Sequence, residues 1–176
     1  MTKLLAVLAL LVGTAPARAA GTISLGVGPA INTTDMHFKG RPGRSSRGPY
    51  ASLRYVADKD DGFGLGVDLA YQSFSDRGRF FDAAGGQVGI AQLLVRQSGT
   101  GDVRPYIQGG AGAARFGVSG VPAVLVGSAA LGLEAGKEGL VWGLELQATY
   151  FKTDAPPFLK KAAVVFSPSV RLGWRF

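Results

Sequence analysis

The chain has 176 residues, a formal net charge of +7, 27 glycines, one histidine and no cysteine. These counts exclude a disulfide framework and a thiolate metal site, and a single histidine excludes a multi-histidine metal centre within one chain. The glycines follow no collagen-type repeat.

Residues 1–19, MTKLLAVLALLVGTAPARA, have the pattern of a secretory signal peptide. Lys3 supplies the positive start, Leu4 to Val12 the apolar core and Ala17-Arg18-Ala19 the small-residue cleavage site. Nine apolar residues are too few to cross a bilayer as a helix, which takes about 20. Cleavage after Ala19 removes Lys3 and Arg18 and leaves one domain, residues 20–176. No later stretch offers an apolar run of helical span length. A membrane-spanning form of this domain must therefore be a closed barrel, because hydrocarbon does not tolerate unpaired backbone groups.

Eight alternating segments follow. Thr22–Ala30 sets Ile23, Leu25 and Val27 against Ser24, Gly26 and Gly28. Tyr50–Ala57 sets Ala51, Leu53 and Tyr55 against Ser52 and Arg54. Phe63–Phe74 sets Phe63, Leu65, Val67, Leu69 and Tyr71 against Asp68 and Gln72. Gln87–Gln97 puts Gln92 and Arg96 on one face. Val103–Phe116 is rich in glycine and its phase is weak. Leu125–Ala135 sets Leu131 and Leu133 against Glu134, and Leu140–Tyr150 sets Trp142, Leu144, Leu146 and Tyr150 against Glu145 and Gln147. The last segment, Val164–Phe176, is apolar at every second residue through Phe166, Val170, Leu172 and Trp174 to Phe176. A period of two marks strands with two unlike faces.

The connections alternate between short turns and longer loops, as in barrels with short periplasmic turns and long external loops. On that orientation Tyr55, Phe63, Trp142, Trp174 and Phe176 fall at periplasmic strand ends, and Tyr71, Tyr150 and Phe166 at outer ends. All eight share the apolar face, the arrangement of two interfacial aromatic belts. The expected fold is all-β: an eight-stranded antiparallel up-and-down transmembrane barrel. Pro168 requires a local bulge or a strand that projects beyond the bilayer, because a closed barrel has no edge for it.

The chain resembles the small outer-membrane β-barrels of Gram-negative bacteria, the OmpA-like, OmpX-like and opacity-type porin-family group. The resemblance is carried by the signal peptide, by PYIQGGAGAARF (Pro105 to Phe116) and by the terminal VRLGWRF (Val170 to Phe176). It implies export to the outer membrane and a last strand read by the barrel-insertion machinery, and it implies no single activity.

The inner face is expected to hold a charge network of Arg54, Asp68, Glu134, Glu145, Arg171 and Arg175, with Gln72, Gln92, Gln108 and Gln147. Eight strands leave an interior that side chains fill, so these charges must pair. Arg54 should meet Asp68 across the short second turn. Glu134 and Glu145, on neighbouring strands, need a cation, and Arg171 is the candidate. The first external loop carries Lys39, Arg41, Arg44 and Arg47, candidate contacts for phosphates of lipopolysaccharide.

The expected role is structural or surface-interacting, non-enzymatic and monomeric, with outer-membrane lipids as partners and no cofactor, metal or nucleic acid. A small gated pore is the transport alternative and lipid A modification the enzyme alternative. For the latter, His37, Ser75 and Asp76 lie in external loops, but the His-x-Ser-Asn signature of deacylases is absent, since Phe38, Lys39 and Gly40 follow His37.

Overall fold

The computed structural model describes residues 20–33, 37–38, 41–42, 47–59, 61–73, 87–117, 123–151 and 163–176. The signal-peptide segment, Lys39, Arg44, Ser75 and Asp76 lie outside the described residues. His37 and Arg41 are described by their backbone only.

The described residues form ten strands: β1 (Ala20–Asn32), β2 (His37–Phe38), β3 (Arg41–Pro42), β4 (Arg47–Asp58), β5 (Phe63–Ser73), β6 (Gln87–Ser98), β7 (Val103–Phe116), β8 (Val124–Ala135), β9 (Gly139–Phe151) and β10 (Ala163–Arg175). Eight of them close into one antiparallel barrel in the order β1-β10-β9-β8-β7-β6-β5-β4, while β2 and β3 pair as a small separate ladder. The predicted segments match these eight strands to within a few residues at each end.

Register fixes the barrel's shape. From Ile23, cross-strand pairs run through Tyr55, Val67, Leu93, Ala111, Gly127, Tyr150 and Val164 and return to β1 at Thr33, ten residues further on. A shear of that size on eight strands tilts them by about 40° to the barrel axis. At that tilt, strands of 11–14 residues are long enough to cross a bilayer.

The short turns rest on glycine. Gly62 has φ 80° and Gly136 has φ 117°, values that side-chain-bearing residues rarely adopt. The Asp61 carboxylate caps the β4–β5 turn by accepting the Phe63 N–H at 3.0 Å.

The faces are the reverse of those of a soluble barrel. Leu93 is 65% exposed and Leu125 84%, whereas Arg54 is 1% exposed and Asp68 0%. Outward apolar side chains cover the whole mid-section. All eight belt aromatics point outward, with Trp142, Trp174 and Phe176 more than half exposed. At the lower belt, Lys59 Nζ sits 5.9 Å from the Phe63 ring centre.

The lumen is layered. Its lower part holds the buried charges, with Gln92, Gln108 and Gln147. Its outer end is an apolar layer that includes Val88, Ile90, Phe116, Val126, Phe151 and Val165. Phe116 and Phe151 meet edge to face there, with centroids 6.0 Å apart. This layer departs from the expectation of a lumen closed by polar groups throughout.

Pro168 forms no bulge. Its pairing with β9 is continuous through Ser167, Pro168 and Ser169, and the β1 register is the same above and below it. The missing donor is accommodated because Pro168 faces Pro29 on β1.

Candidate functional site

The barrel interior brings the chain's inward charges into two clusters. The upper one is centred on Arg54 of β4. Its Nε lies 3.3 Å from Asp68 Oδ1 on β5, its direct cross-strand neighbour. Its Nη1 reaches across the lumen to Glu145 Oε2 on β9, and its Nη2 donates to Glu145 Oε1 at 3.1 Å and to Gln147 Oε1 at 3.2 Å. Glu145 also accepts from the Tyr106 hydroxyl at 2.7 Å and from Arg171 Nη1 at 3.3 Å. Arg171 continues to Ser52 Oγ at 3.0 Å and to Ser24 Oγ, 3.1 Å from its Nη2. Gln92 Nε2 donates to Asp68 Oδ2 at 3.0 Å and Ser128 donates to Gln92 at 2.7 Å. Two arginines and two carboxylates thus balance, and each carboxylate has at least two donors.

The lower cluster is centred on Glu134 of β8. Arg96, Arg104 and Arg175 all reach it: Arg96 at 3.2 Å, Arg104 at 3.4 Å and Arg175 in closest contact. Arg175 also donates to Thr22 Oγ1 at 3.0 Å and lies 3.8 Å from Asp58. Arg104 donates to the Gly136 carbonyl at 2.8 Å. Three arginines against two carboxylates leave a surplus positive charge at the short-turn mouth of the barrel, beside a recess of about 300 Å³. The Arg96 guanidinium stacks 4.1 Å from the Tyr106 ring and so links the two clusters.

Local sequence explains how such bulk fits. Tyr106 lies flat over Gly132, its cross-strand partner, and a Cβ there would collide with the ring. A Cβ on Gly26 would come 2.6 Å from Arg171 Nη1. These glycines clear space for inward aromatic and guanidinium groups.

All six charges read as inward are buried in these clusters. Arg171 is bonded to Glu145, and Glu134 takes its cations from β6, β7 and β10 instead, which corrects the expectation of one arginine shared by both carboxylates. Reasoning from sequence left out Arg104, Tyr106, Tyr50 and Asp58. For Arg104 and Tyr106 the obstacle was β7, where glycine and alanine obscure the alternation. Tyr50, which donates to Gln147 at 3.2 Å, is in phase with Ser52 and Arg54 and was legible by that signal. Gln72 is buried with its amide 3.5 Å from Ser167 Oγ, and Gln108 is buried too.

On the outer rim, Arg47 is exposed at the top of β4. Arg115, which sequence reasoning missed, is exposed at the top of β7 opposite Gly89. They are the only charged side chains on the outward face of the barrel strands among the described residues, and no described residue pairs with either.

No family model matches the chain, and no curated protein matches it. Solved structures do. Neisserial surface protein A superposes with a TM-score of 0.68 at 10% identity, over 89% of this chain and 99% of that one. Ail, the attachment invasion locus protein of Yersinia pestis, gives 0.53 at 17% identity, over 90% and 99%. The outer membrane enzyme PagL gives 0.53 at 17% identity, over 87% and 98%. With its eight closed strands, outward apolar band and inward polar network, the chain has the fold of the small outer-membrane β-barrels.

Proposed function

We propose that the protein is an outer-membrane barrel that acts through its outer rim, with an interior that is structural and does not conduct. The observation that carries this reading is the wall-to-wall link from Arg54 on β4 to Glu145 on β9, inside a network that also holds Arg171, Asp68, Tyr106 and Gln147. A buried pair of this kind is costly to break, because one charge would remain unpaired in a low-dielectric interior. The largely apolar layer above it offers ions few groups to replace their hydration where they would enter.

The reading includes export by residues 1–19 and insertion through the Phe176-ended strand. Its partners are anionic outer-leaflet lipids, met by the cations of the first loop together with Arg47 and Arg115. It assigns no catalysis: the likeness to PagL is one of fold, and His37 is not followed by the deacylase signature. Planar-bilayer recording of purified, refolded protein should show no steady conductance. A stable open channel in the parent protein would overturn the sealed interior and favour the small-pore alternative.

A further inference from the structure

The barrel closes where β1 meets β10, and that seam is divided in two. Gly21 and Phe176 exchange both backbone hydrogen bonds, and Thr33 N–H donates to the Val164 carbonyl. In an antiparallel ladder such bonded pairs recur at every second residue. The register therefore makes Ile23–Trp174, Leu25–Leu172, Val27–Val170 and Ile31–Phe166 bonded pairs. The bonded position between the last two is Pro29 opposite Pro168. Neither proline has an N–H, so both bonds of that pair are lost at one place. Ladder pairing accordingly stops at Val27–Val170 and resumes at Ile31–Phe166. At the gap the strands lie close, since a Cβ on Gly28 would collide with the Pro168 carbonyl oxygen.

The two parts of the seam differ in the side chains that cross them. Below the gap, side chains reinforce the ladder: Arg171 on β10 bonds Ser24 on β1, and Arg175 bonds Thr22. Parting the strands there would bare both arginines. Above the gap the Thr33 hydroxyl donates to the Val164 carbonyl across the seam at 3.3 Å, but the inward residues of β1 and β10 there carry no charge. Ala30, Ala163 and Val165 belong to the apolar layer, with Asn32 and Ser167 among them. The outward residues beside the gap, Val27, Pro29, Pro168 and Val170, lie in an open apolar band of the barrel's outer surface that continues across β9, β8 and β7.

We propose that the seam parts above Val27 and Val170 while the lower ladder stays closed, and that the parted segment admits an acyl chain of the surrounding outer leaflet. Apolar contacts on both sides of the gap suit a hydrocarbon chain and not water or an ion. The inference requires only that the outward apolar face lies in lipid. It is independent of what the outer rim binds.

The test uses the full barrel in lipid nanodiscs. Relaxation dispersion should detect microsecond-to-millisecond exchange at the amides of Ile31 and Phe166 and none at Ile23 and Leu172. Replacing both prolines (Pro29→Val, Pro168→Val) restores both donors and should abolish that exchange. Pro29→Val alone restores one donor and should reduce it, which keeps the comparison open if the double variant does not fold. In parallel, a phospholipid carrying a diazirine on its acyl chain should label the inward Ala163 and Val165 in the parent, and labelling should fall to background in the donor-restored protein. Flat dispersion at Ile31 and Phe166 in the parent, or exchange unchanged when the donors are restored, would overturn the opening. Labelling confined to outward residues would overturn entry of the chain.

Discussion

Replacing Arg54 with Met should be the most damaging single change inside the barrel. Methionine keeps much of the length and removes the charge. Arg54 is 1% exposed and bonds Asp68, both oxygens of Glu145, and Gln147. At an effective dielectric near 20, one unit pair at 3.3 Å is worth about 5 kcal/mol before desolvation. Asp68 would keep only Gln92, while Glu145 would keep Arg171 and Tyr106. The expected net loss is about 3–5 kcal/mol, that of stripping a buried carboxylate of its cation. Arg171→Met should cost less, about 1–3 kcal/mol, because its other bonds go to the neutral Ser24 and Ser52 and Glu145 retains Arg54. Urea unfolding of barrels in lipid vesicles, followed by Trp142 and Trp174 fluorescence, measures both. The double variant Arg54→Met, Asp68→Asn should recover part of the loss, since it removes the stranded charge along with its partner. An Arg54→Met barrel as stable as the parent, or a double variant showing the full sum of the single losses, would refute the view that the network around Arg54 seals the interior.

Deleting Phe176, or changing it to Asp, should leave the protein in the periplasm without a folded, heat-modifiable gel band, because it removes the apolar end whose backbone closes the seam with Gly21; unchanged outer-membrane yield would count against this strand as the insertion signal. Gly132→Ala should destabilise the barrel by about 1–3 kcal/mol as its Cβ displaces the Tyr106 ring, whereas Gly89→Ala, where a Cβ meets nothing within 4 Å, should unfold at the parent's urea midpoint. Replacing Lys39, Arg41, Arg44, Arg47 and Arg115 with Ser should weaken binding to lipopolysaccharide vesicles at low salt, with the difference shrinking at high salt as screening removes the same contribution; equal low-salt binding would leave these cations as solvated rim charge.

The amino-acid sequence alone determined what repeats along a strand. A period of two sorted the outward Leu, Val and aromatic side chains from the inward Arg, Asp, Glu and Gln. It also placed the aromatics at strand ends, because strand number and turn length set which end is which. The register of Arg54 against Asp68 was equally legible, since a short turn joins adjacent strands and fixes their pairing. Alternation failed where both faces carry similar residues. In β6, Val88, Ile90 and Leu94 face inward while Leu93 and Val95 face outward, so the apolar outer layer of the lumen was hidden. In β7 the small residues blurred the phase, and Tyr106 with Arg104 went unread.

Only the tertiary structure decided what meets across the lumen or across the closing seam. Arg54 and Glu145 are 91 residues apart on strands that are not neighbours, and their contact depends on the barrel's diameter and on guanidinium reach. Glu134 gathers arginines from three other strands for the same reason. Pro29 opposes Pro168 because the shear of the whole barrel sets the register between its first and last strands. That register is the sum of all seven other strand pairings, so no local pattern in either segment reveals it.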